Sequence, residues 1–203
     1  MVAEFTARLF DATGAPVQGV FDNLDRESAK YLSMHWRDEN WWAGIVEPKT
    51  TVEGEPDYHW DWVTVISRQV LNKPSGRSVC LRSPDELIQG AMVYRIGAES
   101  ALNPGKKVVY VDRLATAPRN RSNLVWTPRF SRGGECLLPY AMVESLSYGL
   151  GGGLTVYPIA NLSFYERQGL LRTEEYNEGY EAFLYELPVE AAQETLRTLG
   201  VIS

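Results

Sequence analysis

Two separated segments in the C-terminal half of the chain constrain its fold more than any other feature of the sequence. Residues 107–138 run from a β-forming stretch through a turn rich in Arg and Gly to the start of a helical pattern. Residues 153–170 repeat the order of strand, turn and helix. At such a helix start, exposed backbone N–H groups and the helix dipole bind anions. The two segments therefore favour a mixed α and β fold with a site for a phosphate-bearing cofactor.

The bulk composition is that of a soluble globular protein. The 203 residues suffice for one well-buried domain, and 44% of them are hydrophobic and 23% charged. A net charge of -6 disfavours general binding to nucleic acid. No apolar run approaches the ~18 residues of a membrane span, and Glu4, Arg8 and Asp11 argue against a secretory signal. Because Cys80 and Cys136 lack metal or disulfide spacing, we expect a reduced, cytoplasmic setting with no membrane partner.

Periodicity and turn residues predict one domain with a central sheet. Strands are predicted at 5–10, 60–70, 89–97, 107–115, 154–159 and 181–187, and residues 44–58 read as a long loop. Helices are predicted from a cap at Asp22 or Asn23 to about Arg37, and at 135–148, 161–169 and 188–199. Pro139 is tolerable only in the first turn of its helix, because its ring blocks the bond to the carbonyl four residues earlier.

Two of these helices have predicted buried faces. The inward face of the helix at 135–148 is predicted to consist of Leu137, Leu138, Ala141, Met142 and Ser145. The last helix opens at Pro188 and buries the stripe Val189, Ala192, Leu196 and Leu199.

The glycine loop, residues 129–134, has the chemistry of a phosphate site. Gly133 and Gly134 let the backbone approach a phosphate closely, and Arg129 and Arg132 add positive charge. Taken alone, the same residues fit a Gly-rich helix start with solvated arginines.

The order of motifs resembles the GNAT superfamily of acyl-CoA-dependent N-acyltransferases. Its first motif is matched by Pro118-Arg-Asn-Arg121, then by Arg129-Phe-Ser-Arg-Gly-Gly134, then by Leu137-Leu138. Its second motif is matched by Asn161, Tyr165, Glu166, Gly169 and Leu170. The resemblance covers 107–187 well, the earlier strands loosely and 1–60 hardly at all.

This resemblance implies the fold and its division. We expect one GNAT-like α/β (α+β) domain over residues 1–203, with a mixed, mostly antiparallel central sheet and helices on both faces. Residues 1–75 would form the acceptor side and residues 76–203 the acyl-CoA-binding half. The resemblance also implies acetyl-CoA, or another acyl-CoA, as cosubstrate and no metal.

Two departures from the family pattern concern the loop. In the family, one arginine usually closes Pro-x-x-Arg and also opens the glycine loop, whereas here Arg121 and Arg129 are separate residues, so 122–128 is an insertion. Arg132 stands where the family's loop has its first glycine. A side chain there could favour the pyrophosphate or constrain the backbone. These departures motivate an alternative, a catalytically inactive CoA-binding sensor or interaction module.

The resemblance implies roles for individual cofactor-binding residues. Backbone groups at Leu114, Ala115 and Thr116 would pair with the pantetheine arm. The pyrophosphate would be held by the residues Arg121, Arg129, Ser131, Arg132, Gly133 and Gly134. Asn161 and Phe164 would contact the cofactor, although Asn161 also fits a plain helix N-cap.

Tyr165 is, by the same resemblance, the general acid that protonates the departing thiolate. A phenol with an unperturbed pKa of about 10 suits a thiol of comparable basicity. A core aromatic on a short helix is the competing interpretation. The transfer also needs a general base, and the candidates are Asp112 on the strand before the loop and His59. Asp112 equally fits a structural role, such as pairing with Arg113, so the sequence does not locate the base.

The N-terminal half is unusually rich in tryptophan. The window 35–62 contains five of the six tryptophans and both histidines, His35 and His59. Such a cluster could wall an acceptor pocket, with a cationic amine attracted by Glu53, Glu55, Asp57 or Asp61. It could equally be ordinary core, which we expect for about half of the tryptophans.

The sequence thus favours transfer of an acetyl or other short acyl group to a primary amine. A small molecule, a peptide or a protein could supply that amine, no nucleic acid is expected, and a homodimer is left open. The alternatives are the CoA sensor and a factor that modifies a macromolecule.

Overall fold

The computed structural model describes residues 5–203, whose contacts divide them into two compact units. The N-terminal unit comprises residues 6–93 and 113–137, and the C-terminal unit comprises residues 94–112 and 138–203 with Phe5. These units do not coincide with the predicted halves 1–75 and 76–203. Glu4, one of the three charged residues that disfavour a secretory signal, lies outside the described residues.

The N-terminal unit is a sheet with helices. Its strands are β1 (Ala7–Asp11), β2 (Pro16–Asn23), β3 (Gly76–Arg82), the first part of β4 (Ile88–Glu99), the last part of β5 (Lys107–Thr116) and β6 (Phe130–Ser131). They lie in the order β6-β1-β2-β3-β4-β5, and the pairs β1–β2, β1–β6 and β2–β3 are antiparallel. The helices are α1 (Arg26–His35), α2 (Glu39–Ala43) and α3 (Trp62–Ile66).

Two hydrophobic clusters hold this unit. The main cluster packs α1 and α3 on the sheet through Leu32, Trp36, Trp62, Ile66 and Ile88. A satellite cluster joins Trp42 and Val52 to Leu124 and Val125 of the 122–128 insertion. A bridge between Pro48 and Val125 ties the same insertion to the loop at 44–61.

The C-terminal unit combines the other parts of β4 and β5 with β7 (Leu154–Val156), β8 (Leu171–Asn177) and β9 (Ala182–Leu187). Its strand order is β4-β5-β7-β9-β8, where β5–β7 is parallel and the pairs β7–β9 and β8–β9 are antiparallel. Its helices are α5 (Leu162–Arg167), α6 (Val189–Thr198) and the greater part of α4 (Gly133–Ser147). The predicted mixed, mostly antiparallel pairing is confirmed.

The predicted strand at 60–70 is wrong. This segment forms α3, followed by a π-helical turn at Ser67–Leu71. The Asp61 carboxylate caps α3 by accepting hydrogen bonds from Val63 N and Thr64 N at 3.1 and 3.3 Å. Trp62 and Ile66, four residues apart, then bury one helical face, so the cap and tertiary packing override the β propensity of the segment.

Smaller corrections concern helix ends and missed strands. The side chain of Asp25, not Asp22 or Asn23, caps α1 by accepting from Ser28 N at 2.8 Å. Helix α4 begins at Gly133, which places Pro139 in its second turn, and Leu199 is 48% exposed. The predicted inward face of α4 is confirmed, since its five residues are buried. Strands β2, β3, β6 and β8 were not predicted.

Candidate functional site

A buried polar network holds the glycine loop in the N-terminal unit. It consists of Ser83, Gln89, Arg119 and Asn120, and Gln89 lies at its centre with no exposed surface. Gln89 Nε2 donates to Ser83 Oγ and to Leu87 O, while Gln89 Oε1 accepts from Asn120 Nδ2 at 2.9 Å and from Arg119 Nη2 at 3.2 Å. Both ends of this amide are therefore used, and its orientation is fixed by its partners.

The network continues directly into the loop. Asn120 Oδ1 accepts from Phe130 N at 3.0 Å, and the carbonyl of Arg119 accepts from Arg129 N at 3.0 Å. Arg119 is fully buried and lies over the Trp41 ring at 5.5 Å, and burial lowers its pKa to about 10, so it is still a cation at neutral pH. Arg129, just before β6, and Phe130, its first residue, are thus fixed to this network through their backbone N–H groups.

Arg132 adopts the backbone conformation that a glycine would prefer. Its φ is +69°, in the left-handed region, so the loop keeps a glycine-like path although a side chain is present. The Arg132 guanidinium lies over the Phe10 ring and contacts the Glu135 carboxylate, and its side chain is 54% exposed. The arginine therefore adds an exposed positive charge without changing the turn.

Gly133 is the first residue of α4 and sits in a narrow space. A Cβ at this position would lie 3.2 Å from Thr116 Cγ2 and 3.6 Å from the Gln89 carbonyl. The first N–H groups of a helix have no partner within the helix, and the helix dipole favours an anion beside them. With Arg132 exposed and Arg129 held by an ion pair to Asp85, the 129–134 backbone has the chemistry of a phosphate-binding turn.

Arg121 is engaged elsewhere. Its five hydrogen bonds use Nε, Nη1 and Nη2 and run to the carboxylates of Glu55 and Asp57 and to the Thr116 carbonyl. A guanidinium has only five N–H donors, so none is left for a phosphate. The two carboxylates raise the pKa of Arg121 against the effect of its burial. The predicted role of Arg121 in holding pyrophosphate does not fit these contacts.

Leu114 to Thr116, which are predicted to bind the pantetheine arm, are the last three residues of β5. Ala115 is buried in the main cluster, while Leu114 and Thr116 are half-buried. The Thr116 carbonyl already accepts from Arg121 at 2.9 and 2.7 Å. Ser131, in β6, is exposed and its hydroxyl lies 3.5 Å from the Phe10 carbonyl.

Tyr165 lies on α5 in the C-terminal unit. It is 8% exposed, and its ring meets that of Phe164 edge-on at 5.1 Å. Burial raises the pKa of Tyr165 to about 12, so the phenol keeps its proton at neutral pH. A phenol in this protonated state is able to donate a proton.

Asn161 occupies the N-cap position of α5 but does not cap it. Its φ of +53° is left-handed, and its side chain accepts no hydrogen bond from the helix backbone. Instead Ser163 Oγ donates to Asn161 Oδ1 at 3.3 Å. The side chain is exposed, so the plain N-cap interpretation does not account for it.

The two candidate bases lie in different surroundings. His59 is exposed on the loop before α3, with its ring 5.0 Å from that of Tyr58. Asp112 is half-buried on β5 in the C-terminal unit, where its charge helps to raise the pKa of Tyr110, which is raised chiefly by burial. Neither geometry singles out the base.

The tryptophan cluster is divided between core and cleft. Trp36, Trp42 and Trp62 are buried, as expected for about half of the cluster. Trp36, Tyr58, Trp60 and Trp62 line a cavity of about 20 Å³ together with the pair Glu55 and Asp57. That volume holds about one water molecule.

Three of the four acidic residues considered for this region have roles in the fold, whereas Glu53 is exposed. Glu55 and Asp57 neutralise Arg121, and Asp61 caps α3. Their expected attraction for a cationic amine is thereby weakened. Within residues 5–203, no group of three or more His, Cys, Asp or Glu side chains could hold a metal ion.

Sequence reasoning missed Gln89 and Arg119. Gln89 stands in a predicted strand whose other residues are mostly apolar, and a lone polar residue in such a run is the one signal that could have marked it. Arg119 was visible only as a variable position of Pro118-Arg-Asn-Arg121. Its burial depends on contacts far apart in the sequence.

No protein-family model matches the sequence, and no curated protein matches it. Solved structures do match in fold. The complex AtaTR bound with AcCoA is 18% identical, with a TM-score of 0.54 over 88% of this chain and 98% of that chain. A GNAT-family acetyltransferase from Staphylococcus aureus Mu50 is 12% identical, with a TM-score of 0.52 over 84% and 99%.

A third match is a spermidine N-acetyltransferase SpeG chimera from Vibrio cholerae and hSSAT. It is 9% identical, with a TM-score of 0.51 over 86% of this chain and 98% of that chain. Among the described residues, no helix is both long and apolar enough to traverse a bilayer. The strand order, the loop and these three likenesses together show that the chain has the fold of the GNAT acetyltransferases.

Proposed function

We propose that this protein is an N-acyltransferase that moves an acetyl group from acetyl-CoA to a primary amine. The observation that carries the proposal is the backbone of residues 129–134, which turns left-handed at Arg132 and leads directly into the N-terminus of α4. A neighbour in fold was solved with AcCoA bound, which supports the same cosubstrate here.

The residues present fit this cosubstrate in two respects. Gly133 leaves the space that a side chain would fill, and Arg132 offers an exposed guanidinium. Arg129 belongs to the same loop, where its guanidinium pairs with Asp85. The pyrophosphate would be held by the amides of residues 132–134 and the charge of Arg132. Leu114, Ala115 and the N–H of Thr116 would serve the pantetheine arm, and Asn161 and Phe164 would contact the cosubstrate. Arg121 is left out, because its donors are saturated.

Tyr165 would supply the proton that the reaction needs. The neutral amine forms a C–N bond to the thioester carbonyl as the C–S bond breaks, and Tyr165 donates its proton to the departing sulfur. The tyrosinate then recovers a proton from solvent, and the amine releases one to water or to a base such as His59 or Asp112. The raised pKa of Tyr165 keeps the acid loaded before each turnover.

The first test is ligand binding. With acetyl-CoA at 100 times its dissociation constant, the free energy of unfolding should rise by about 2.7 kcal/mol, which raises Tm by roughly 5 to 10 °C for a chain of this size. Differential scanning fluorimetry with CoA, acetyl-CoA and longer acyl-CoAs measures this. An unchanged Tm with all of them would refute the assignment of the cosubstrate.

The second test is the variant Tyr165→Phe. We expect turnover to fall about 10²- to 10⁴-fold, because a general acid contributes that much, while the dissociation constant of acetyl-CoA changes little. Tyr176→Phe, an exposed tyrosine on β8, is the matched control and should keep wild-type turnover. Full activity of Tyr165→Phe would show that another group protonates the sulfur.

A second candidate function is a CoA-binding sensor without catalysis. It is favoured by the engagement of Arg121 in a cluster with Glu55 and Asp57, which withdraws one arginine of the motif from the cosubstrate. The sensor predicts stabilisation by CoA together with no turnover on any amine. The two tests above therefore separate the candidates.

A further inference from the structure

A cluster of tyrosines with one arginine, outside the roles assigned above, occupies the C-terminal unit. We call it the tyrosine cluster: Arg95 on β4, Tyr110 on β5, Tyr157 after β7 and Tyr180 before β9. The Tyr110 and Tyr157 rings are 6.2 Å apart, and the Tyr157 and Tyr180 rings are 5.4 Å apart. Arg95 Cζ lies 4.5 Å from the centre of the Tyr110 ring.

The geometry of Arg95 leaves its donors available. A guanidinium stacked on a ring uses its faces, while its N–H groups point outward in its own plane. Among residues 5–203, the buried Nε of Arg95 has no hydrogen-bond partner. A buried donor without a partner is costly, so a ligand that accepts from it would relieve that cost.

The cluster stands at the point where two central strands separate. The parallel pairing of β5 with β7 ends at Val111 and Val156, one residue before Asp112 and Tyr157. Helix α5, which carries Tyr165, begins five residues after Tyr157. The tyrosine cluster and the proposed general acid therefore follow the same strand end within one unit.

The charges around the cluster are of both signs. Arg95 contributes a positive charge beside Tyr110, and the charge of Asp112 acts on the same phenol. Burial keeps Tyr110 protonated, and burial together with Glu175, whose carboxylate accepts from Tyr157 Oη, raises the pKa of Tyr157 to about 12. Tyr110 and Tyr157 therefore present neutral rings with hydroxyl groups, and the fixed charges beside them are those of Arg95, Asp112 and Glu175.

We propose that the tyrosine cluster binds the acyl acceptor and that Arg95 selects an amine that also carries a carboxylate, as an amino acid does. The planar guanidinium of Arg95 matches the geometry of a carboxylate. The carboxylates of Asp112 and Glu175 suit the ammonium form of the arriving amine, and the tyrosine rings would enclose its carbon skeleton. This inference rests on the proposed acyl transfer, since it names the substrate class of the same reaction.

The experiment compares each of several amino acids with its own carboxamide, using acetyl-CoA. The amine of a carboxamide is less basic and is neutral to a larger extent at the assay pH, so intrinsic reactivity favours the amide. A preference for the acid then reports recognition of the carboxylate. We expect kcat/KM for the acids to exceed that for the amides by about tenfold or more, since a site that pairs with a charged group rejects an analogue lacking it.

Arg95→Met keeps an unbranched side chain over Tyr110 but removes the donors. It should abolish the preference by lowering kcat/KM for the acids while leaving that for the amides unchanged. Arg95→Lys, which keeps the charge but loses the planar fork, should restore part of the preference. The matched control is Arg197→Met on α6, an exposed arginine of the same unit, which should keep the preference.

Two outcomes would overturn the inference alone: amides used as well as acids by the wild type, or an equal loss for both in Arg95→Met. If no amine is acetylated, NMR titration with the same amino acids decides the matter. Binding that is lost in Arg95→Met would uphold the site while refuting the proposed function, and absence of binding would refute the site.

Discussion

At the scale of the single residue, Arg132 makes two separable contributions to the loop, one from its backbone conformation and one from its side-chain charge. Its φ of +69° costs a non-glycine residue roughly 1 kcal/mol, while its side chain brings an exposed positive charge to the loop. The sequence indicated both that this arginine could attract pyrophosphate and that it could constrain the backbone. The structure shows that the backbone turns as a glycine would.

The variants Arg132→Gly and Arg132→Ala test this separation. Both remove the charge, so both should weaken acetyl-CoA binding by about the same factor, roughly fivefold for the loss of ~1 kcal/mol. Only glycine relieves the left-handed backbone, so Arg132→Gly should be more stable than Arg132→Ala by about 1 kcal/mol. Urea unfolding and isothermal titration measure the two quantities. Equal stability of the two variants would contradict the left-handed turn at this position.

At the scale of the element, the π-helical turn after α3 depends on Gly76 at the start of β3. A Cβ there would lie 1.9 Å from the Gln69 carbonyl oxygen and 2.8 Å from Val70 Cα. Both atoms are backbone, so no side-chain rotation can relieve the overlap.

Gly76→Ala should therefore lower the free energy of unfolding by about 3 kcal/mol or more. Gly54→Ala is the matched control, because a Cβ there has no atom within 4 Å, and it should change stability by no more than about 0.5 kcal/mol. Urea denaturation of both variants decides the point. A Gly76→Ala protein as stable as the control would show that the turn at 67–71 does not pack on this residue.

The elements that sequence reasoning found are those with local signals. Strand β5, helix α4 and helix α5 lie in the motif region, where turn residues and periodicity agree. The segment 60–70 was misassigned because Trp62-Val-Thr-Val-Ile66 is strand-like in composition, and the deciding contact is the Asp61 cap. Strand β8 carries a register shift between Arg172 and Tyr176 and is mostly exposed, so it lacks the alternation that marks a strand.

The candidate site was predictable to a lesser degree. The loop and Tyr165 follow from short motifs, but the partners of Arg121 lie 64 and 66 residues away in the sequence. Gln89 contributes indirectly, because its side chain accepts hydrogen bonds from Arg119 and Asn120, which in turn hold the loop. Such long-range pairing leaves no local pattern.

At the scale of the whole molecule, the chain buries groups that ionise only at alkaline pH. Burial raises the pKa of Cys80 to about 11 and that of Tyr165 to about 12, and it raises that of Tyr94 also. In the unfolded chain the thiol ionises near pH 9 and the phenols near pH 10. The folded state therefore binds more protons in this range, and stability is lost as pH rises.

We expect full stability below about pH 9 and a falling free energy of unfolding from there to pH ~10.5, with Cys80 alone contributing about 2 kcal/mol at the upper limit. Arg119 has the opposite effect, since its pKa is lowered to about 10, but this effect changes the free energy of unfolding little below that pH. Urea unfolding in reducing buffer measures the slope. Cys80→Val should flatten it, and an unchanged slope in that variant would mean that the thiol does not contribute.

The saturated guanidinium of Arg121 also has a consequence for chemical reactivity. Dicarbonyl reagents need accessible guanidinium nitrogens, and those of Arg121 are occupied by two carboxylates and a backbone carbonyl. Arg132, with 54% of its side chain exposed, offers its nitrogens to the same reagent. Covalent labelling would thus mark the arginine that replaces a glycine and pass over the arginine that matches the motif.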